Sequence, residues 1–129
     1  MTDYLNIMPQ TYKDSWVSEL RSGKYTQGSG ELMQSDGCYC CLGVLQACIS
    51  GTVERYASHD DPEEHSLALP TYEWLREHRI RWLSKYGEDQ PYPMLKWNDR
   101  WYSAYELNDH CHLSFNQIAD LIEEQIKGI

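Results

Sequence analysis

The sequence predicts a small α+β domain of about four or five helices with two short β-hairpins. Three observations point there. Apolar residues recur at helical spacing in separate stretches. Two Ser-x-x-Glu/Gln capping boxes stand near the C-terminus. Two turn signals, Asp36-Gly37 and Asn98-Asp99, each lie between short runs that suit strands. At 129 residues the chain is expected to be a single domain, 1–129, large enough to bury a core.

In chain order, Thr11 is placed to cap a first helix, with Asp14 in its first turn. Tyr12, Trp16 and Leu20 recur at i, i+4 and i+8 with Val17 beside them, and Gly23 stops the helix after Arg21. Glu31 to Gln34 and Cys38 to Cys40 flank Ser35-Asp36-Gly37 as the first hairpin. A second helix starts near Cys41, with Leu42, Leu45 and Ile49 on one face, and ends at Gly51. The stretch Gly51 to Leu69, with His59-Asp60-Asp61-Pro62-Glu63-Glu64-His65, reads as an exposed loop. Thr71 is placed to cap a third helix that buries Trp74, Leu75, His78 and Trp82. Met94 to Trp97 and Arg100 to Ser103 flank Asn98-Asp99 as the second hairpin. Ser103-x-x-Glu106 and Ser114-x-x-Gln117 open two more helices, and Leu113 with Ile118 can staple the last. Ile118, Leu121, Ile122 and Ile126 form its apolar face, with Gly128 ending it.

Eleven Lys+Arg stand against 20 Asp+Glu, a net charge of −9. Phosphate neutralisation needs a basic surface, so general nucleic-acid binding is not expected. The acids are scattered rather than striped, which fits an acidic soluble surface better than a DNA mimic. No apolar stretch approaches the roughly 20 residues that span a bilayer, so no membrane association is expected. Met1 to Gln10 has neither a basic region nor an apolar run, so it does not read as a signal peptide. Five cysteines, three of them crowded at Cys38, Cys40 and Cys41, read as reduced thiols of a cytoplasmic protein. Ten Tyr and 5 Trp against one Phe favour surfaces that are flat, apolar and hydrogen-bonding at once.

Four places can carry chemistry. Cys40 and Cys41 open a helix, where the macrodipole favours thiolate. Cys41-Leu42-Gly43 resembles the Asp-Cys-Ser-Gly start of the catalytic helix in NlpC-type cysteine peptidases, with Leu42 where serine would stand and no preceding aspartate. The alternative is that both thiols are small buried hydrophobes. Cys38, Cys40, Cys41 and Cys48 with His110-Cys111-His112 are the candidate zinc ligands, but their spacing fits no structural zinc pattern, and neither metal nor cofactor is implied. The loop Gly23 to Gly30 can form an anion nest, with Arg21 and Lys24 supplying charge and Tyr25 and Gln27 a stacking face and an amide edge. Its alternative is a helix cap and a connection. The hairpin Lys96, Trp97, Asn98, Arg100, Trp101, followed by Tyr105, combines aromatic faces with cations. That suits a nucleobase and its phosphates, a protein partner, or cross-strand packing.

The segments Leu20 to Gln27 (LRSGKYTQ), Cys40 to Leu45 (CCLGVL), Leu107 to Asp109 (LND) and Ser114 to Ile122 (SFNQIADLI) together resemble a family of small uncharacterised proteins from tailed-phage genomes. His110-Cys111-His112 stands where a glycine is common in that family. The resemblance implies an accessory protein of the infected host cytoplasm that counters host immunity. Two modes follow: a non-enzymatic, oligomer-forming sponge for a small nucleotide signal, or an inhibitor that masks a host defence protein. A cysteine-dependent hydrolase is the third.

Overall fold

The computed structural model describes residues 4–28, 38–50 and 72–129. Strand β1 (Leu5–Met8) is the middle of a three-stranded sheet. It alternates outward Leu5 and Ile7 with buried Asn6 and Met8, the period-two pattern of a half-buried strand. On one side it pairs antiparallel with β4 (Arg81–Leu83), Asn6 opposite Trp82. On the other it pairs parallel with β7 (Ile126–Gly128), Asn6 opposite Ile126.

Helix α1 (Gln10–Arg21) follows Pro9, which occupies the cap position without a side-chain cap. Thr11 therefore lies inside the helix rather than capping it. The fixed φ of Pro9 starts the first turn instead, and Tyr12 and Lys13 donate to its carbonyl at 3.0 Å. Trp16, Val17 and Leu20 form the buried stripe, and Gly23 leaves the helix at φ 76°. Strands β2 (Thr26–Gln27) and β3 (Cys38–Tyr39) pair in parallel. The hairpin expected around Ser35-Asp36-Gly37 lies outside the described residues, as do the acidic loop 59–65 and the Thr71 cap.

Helix α2 (Cys41–Ser50) is not amphipathic as its spacing suggested: residues 41 to 47 are all buried. A helix apolar on all sides belongs at the centre of a fold, and α2 packs against α1 and α4. The Trp16 indole N–H donates to the Cys41 carbonyl at 2.9 Å, tying α1 to its first turn.

Helix α3 (Tyr72–Glu77) is shorter than the sequence implied, and Trp82 belongs to β4 rather than to the helix. Arg79 turns the chain at φ 59°. The Ile80 N–H then returns to the Leu75 carbonyl at 2.9 Å and the Arg79 N–H to Arg76 at 3.1 Å. This is a Schellman closure, with Leu75 and Ile80 as its buried apolar pair.

The second hairpin is as expected. Strands β5 (Met94–Trp97) and β6 (Arg100–Ser103) pair antiparallel around Asn98 and Asp99, whose φ values of 55° and 66° make a type I′ turn. Ser103 caps α4 (Ala104–Asp109) and Ser114 caps α5 (Phe115–Gln125), each in a complete capping box. The last helix stops at Gln125, not at Gly128, because Ile126 is drawn into the sheet beside β1. The class is α+β, a single small fold with five helices and seven short strands among the described residues.

Candidate functional site

The glycine loop is held by the fold rather than left open. The Gln27 amide donates to Asn108 Oδ1 at 3.0 Å and to the Leu113 carbonyl at 2.7 Å, and its Oε1 accepts from the Phe115 N–H at 3.2 Å. Asn108, nearly fully buried, in turn donates to the Gly28 carbonyl at 2.6 Å and to Asp109 at 2.8 Å. Every polar atom of the Gln27 amide is therefore engaged. Phe115 opens α5, and its N–H is one of the first-turn donors that no helical carbonyl can serve.

Arg21 is engaged as well. Its guanidinium bridges Asp120 at 2.6 Å and Glu123 at 2.8 Å, which joins the end of α1 to α5. An open depression of about 560 Å³ lies beside it, but Lys13 on its wall donates to the Glu123 carbonyl at 3.0 Å. Tyr25 packs edge-on against Tyr39, centroids 4.9 Å apart. Lys24 lies 5.4 Å from the Tyr25 ring and 3.9 Å from Glu19, exposed. Arg21 and Lys24 are both exposed, and each already stands beside a carboxylate.

The hairpin residues divide between two faces. Leu95 faces Tyr102 and Trp97 faces Arg100, while Lys96 faces Trp101. Successive side chains of a strand alternate, so Trp97 and Trp101 point to opposite sides of the ribbon. Trp97 packs on Tyr102 at 5.9 Å. Trp101 packs on Tyr4 at 4.9 Å, with the Lys96 ammonium 6.0 Å from its ring. The β5 backbone at Lys96 is paired by the Gln125 side chain, which accepts from its N–H at 2.6 Å and donates to its carbonyl at 2.7 Å. Tyr105 lies edge-on to Tyr92 at 5.2 Å. Burial pushes the Tyr92 hydroxyl up, and Tyr105, Glu106, Tyr72 and Tyr4 add to the shift. Sequence spacing missed Tyr4 and Tyr92. Neither lies in the hairpin, and only tertiary packing brings them to it.

The result is two aromatic pairs, Tyr4 with Trp101 and Tyr92 with Tyr105, all four rings half-buried and the second pair packed against the core. Arg21 and Gln27 stand at the α1–α5 and α4–α5 junctions instead, so the residues expected to converge on a nucleotide lie in separate places.

Cys40 and Cys41 line the core. The Gly43 N–H donates to Cys40 Sγ at 3.4 Å, and the Cys41 thiol donates to the Ala104 carbonyl at 3.5 Å. Burial pushes the Cys40 thiol up to about 12 and the Cys41 thiol well above its ordinary value. Desolvation outweighs the helix-start argument for a lowered pKa, and a buried thiol is a poor nucleophile at neutral pH. Cys48 and Cys111 are half-buried free thiols. Among the described residues, no group of three or more His, Cys, Asp or Glu is arranged to hold a metal ion, and no helix is long and apolar enough to cross a membrane.

These features define a small α+β protein whose motif side chains mostly hold its helices together, with two aromatic pairs beside them. The chain belongs to the family described as Domain of unknown function (DUF8296), whose model matches residues 8–126. Neither the curated proteins nor the solved structures give a match.

Proposed function

We propose that this protein acts by binding a protein partner, and that the partner is a host defence factor inhibited in the cytoplasm of an infected cell. The half-buried ring pairs Tyr4–Trp101 and Tyr92–Tyr105 carry this reading. Rings anchored on one side and wet on the other supply contact area at low entropy cost, as hot-spot residues do. The resemblance of the LRSGKYTQ, CCLGVL and SFNQIADLI segments to tailed-phage proteins supports the setting. The acidic surface, net charge −9, favours a basic partner. Affinity capture from a phage host, comparing the parent with Trp101→Ser and Tyr92→Ser, tests it. A partner retained by the parent and lost by both variants supports the reading. A partner set identical for all three refutes it.

One observation favours a second reading, sequestration of a small nucleotide signal. The Lys96 ammonium, the Trp101 ring and the Tyr4 ring are adjacent. They can stack a base and meet its phosphate. Calorimetry against cyclic dinucleotides, cyclic trinucleotides and cyclic ADP-ribose isomers checks it, and absence of heat across that panel sinks it. Self-association, expected of a sponge, is read from sedimentation of the same samples.

A further inference from the structure

A cavity of about 280 Å³ lies where α3 meets β4, and Tyr4, Tyr92, Trp101 and Tyr105 do not line it. Leu75 and Ile80, the apolar pair that closes α3, form part of its wall. Trp82 and Gln90 also line it. Leu83 and Asp89 form an antiparallel bridge, and the Gln90 N–H donates to the Trp82 carbonyl at 2.7 Å. Trp82 and Gln90 are therefore cross-strand neighbours with side chains on the same face.

Trp82 is 1% exposed, yet its Nε1–H has no hydrogen-bond partner among the described residues. Gln90 Oε1 is buried and equally unpaired. Buried polar atoms are nearly always satisfied, and each exception calls for an explanation. Among the described residues, a donor and an acceptor are thus left unpaired on two neighbouring residues that line one cavity. Tyr72, 46% exposed, flanks it with a ring. Arg76 shares that wall; its Nε donates to the Tyr72 carbonyl at 3.4 Å, and among the described residues its terminal amino groups have no partner. Asp89 is offset by Arg81 at 3.3 Å.

We propose that this cavity binds a nucleobase, presented as a nucleoside monophosphate. The edge of a base carries an acceptor beside a donor, the complement of Trp82 Nε1–H beside Gln90 Oε1. Tyr72 offers a stacking face, and Arg76 is the cation for the phosphate. The volume lies at the lower end of small-molecule sites, about 300 Å³. It suits one base with its sugar outside, not a whole cyclic dinucleotide. The cavity is lined by other residues than those of the proposed partner surface, so it stands if that reading falls.

The test is a titration of the ¹⁵N-labelled protein with AMP, GMP, CMP and UMP in turn, read on the tryptophan indole signals. Five tryptophans give five signals, and Trp82→Phe identifies the one that matters. The expected result is a saturable shift of the Trp82 signal with at least one nucleotide. Gln90→Leu weakens it about tenfold without lowering Tm, because an unpaired buried acceptor contributes no bond to lose. Trp101→Ser leaves it unchanged. A Trp82 signal unmoved by all four at millimolar concentration overturns the proposal and leaves the cavity to water. A response to acetamide but to no nucleotide overturns it in favour of a protein amide. The parent titration decides the matter even if Gln90→Leu does not fold.

Discussion

Replacing Gln27 by alanine tests whether the glycine loop is a ligand site or a fastening. The side chain makes three hydrogen bonds, two donated to Asn108 and Leu113 and one accepted from Phe115. A typical intramolecular hydrogen bond contributes about 1 kcal/mol net, and a buried group left unpaired costs about 1–3 kcal/mol. Asn108 is 3% exposed, so water does not readily replace its lost partner. The expected loss is about 3 kcal/mol, a large share of the roughly 5–15 kcal/mol that holds a domain folded. Urea unfolding followed by tryptophan fluorescence measures it. A double-mutant cycle with Asn108→Ala should return a coupling of about 1 kcal/mol or more. Gln27→Glu should be destabilised at neutral pH, because an ionised carboxylate cannot donate to Asn108 or Leu113. The glutamate pKa is then raised in the folded state. The stability it retains is present below the unfolded value of about 4.3 and is lost as pH rises through the folded one. A Gln27→Ala protein within about 0.5 kcal/mol of the parent refutes the reasoning and returns the residue to the surface.

Two further outcomes are expected. Cys40 and Cys48 are both pushed up to about 12 by burial, from the ordinary thiol value of 9.0. The unfolded chain ionises first, so their contribution is intact below pH 9.0 and falls away between 9.0 and about 12. Alkaline unfolding curves, with maleimide labelling of Cys40 seen only on unfolding, check this; rapid labelling of Cys40 in the native state contradicts it. Asp99→Gly should raise stability by about 0.5 kcal/mol, because glycine suits the second centre of a type I′ turn better than aspartate. A fall in Tm would show that the Asp99 side chain has a role beyond the turn.

The features carried by adjacent residues were legible. Ser103 and Glu106, Ser114 and Gln117, and Asn98 with Asp99 each contain their whole reason within four positions, and all three appear as expected. What was illegible depends on distant partners. The end of α3 carries no glycine, because Arg79 takes the left-handed conformation inside a Schellman closure fixed by Leu75 and Ile80. Ile126 continues the helical period of α5, yet it leaves the helix because β1 offers backbone partners. The site suffered in the same way. Gln27 looked like an open amide in a glycine loop, since its partners lie some 80 positions on. Trp97 and Trp101 looked like one platform until the pleat put them on opposite faces.

The central position of β1 has a consequence for how the molecule is made. On a ribosome, Leu5–Met8 emerges before its neighbours, Arg81–Leu83 and Ile126–Gly128. Helices α1 and α2 can meet early, while this strand waits for β4 and β7 to be made. An unpaired strand edge is a template for wrong pairing. Closing so long a loop is also slow, because its entropy must be lost before any contact compensates. Nascent chains halted before Ile126 should therefore hold an unfinished sheet and engage chaperones, and the backbone bonds from Ile129 to Met8 and from Gln10 to Ile129 tie the residue after β7 to the end of β1 and the first turn of α1.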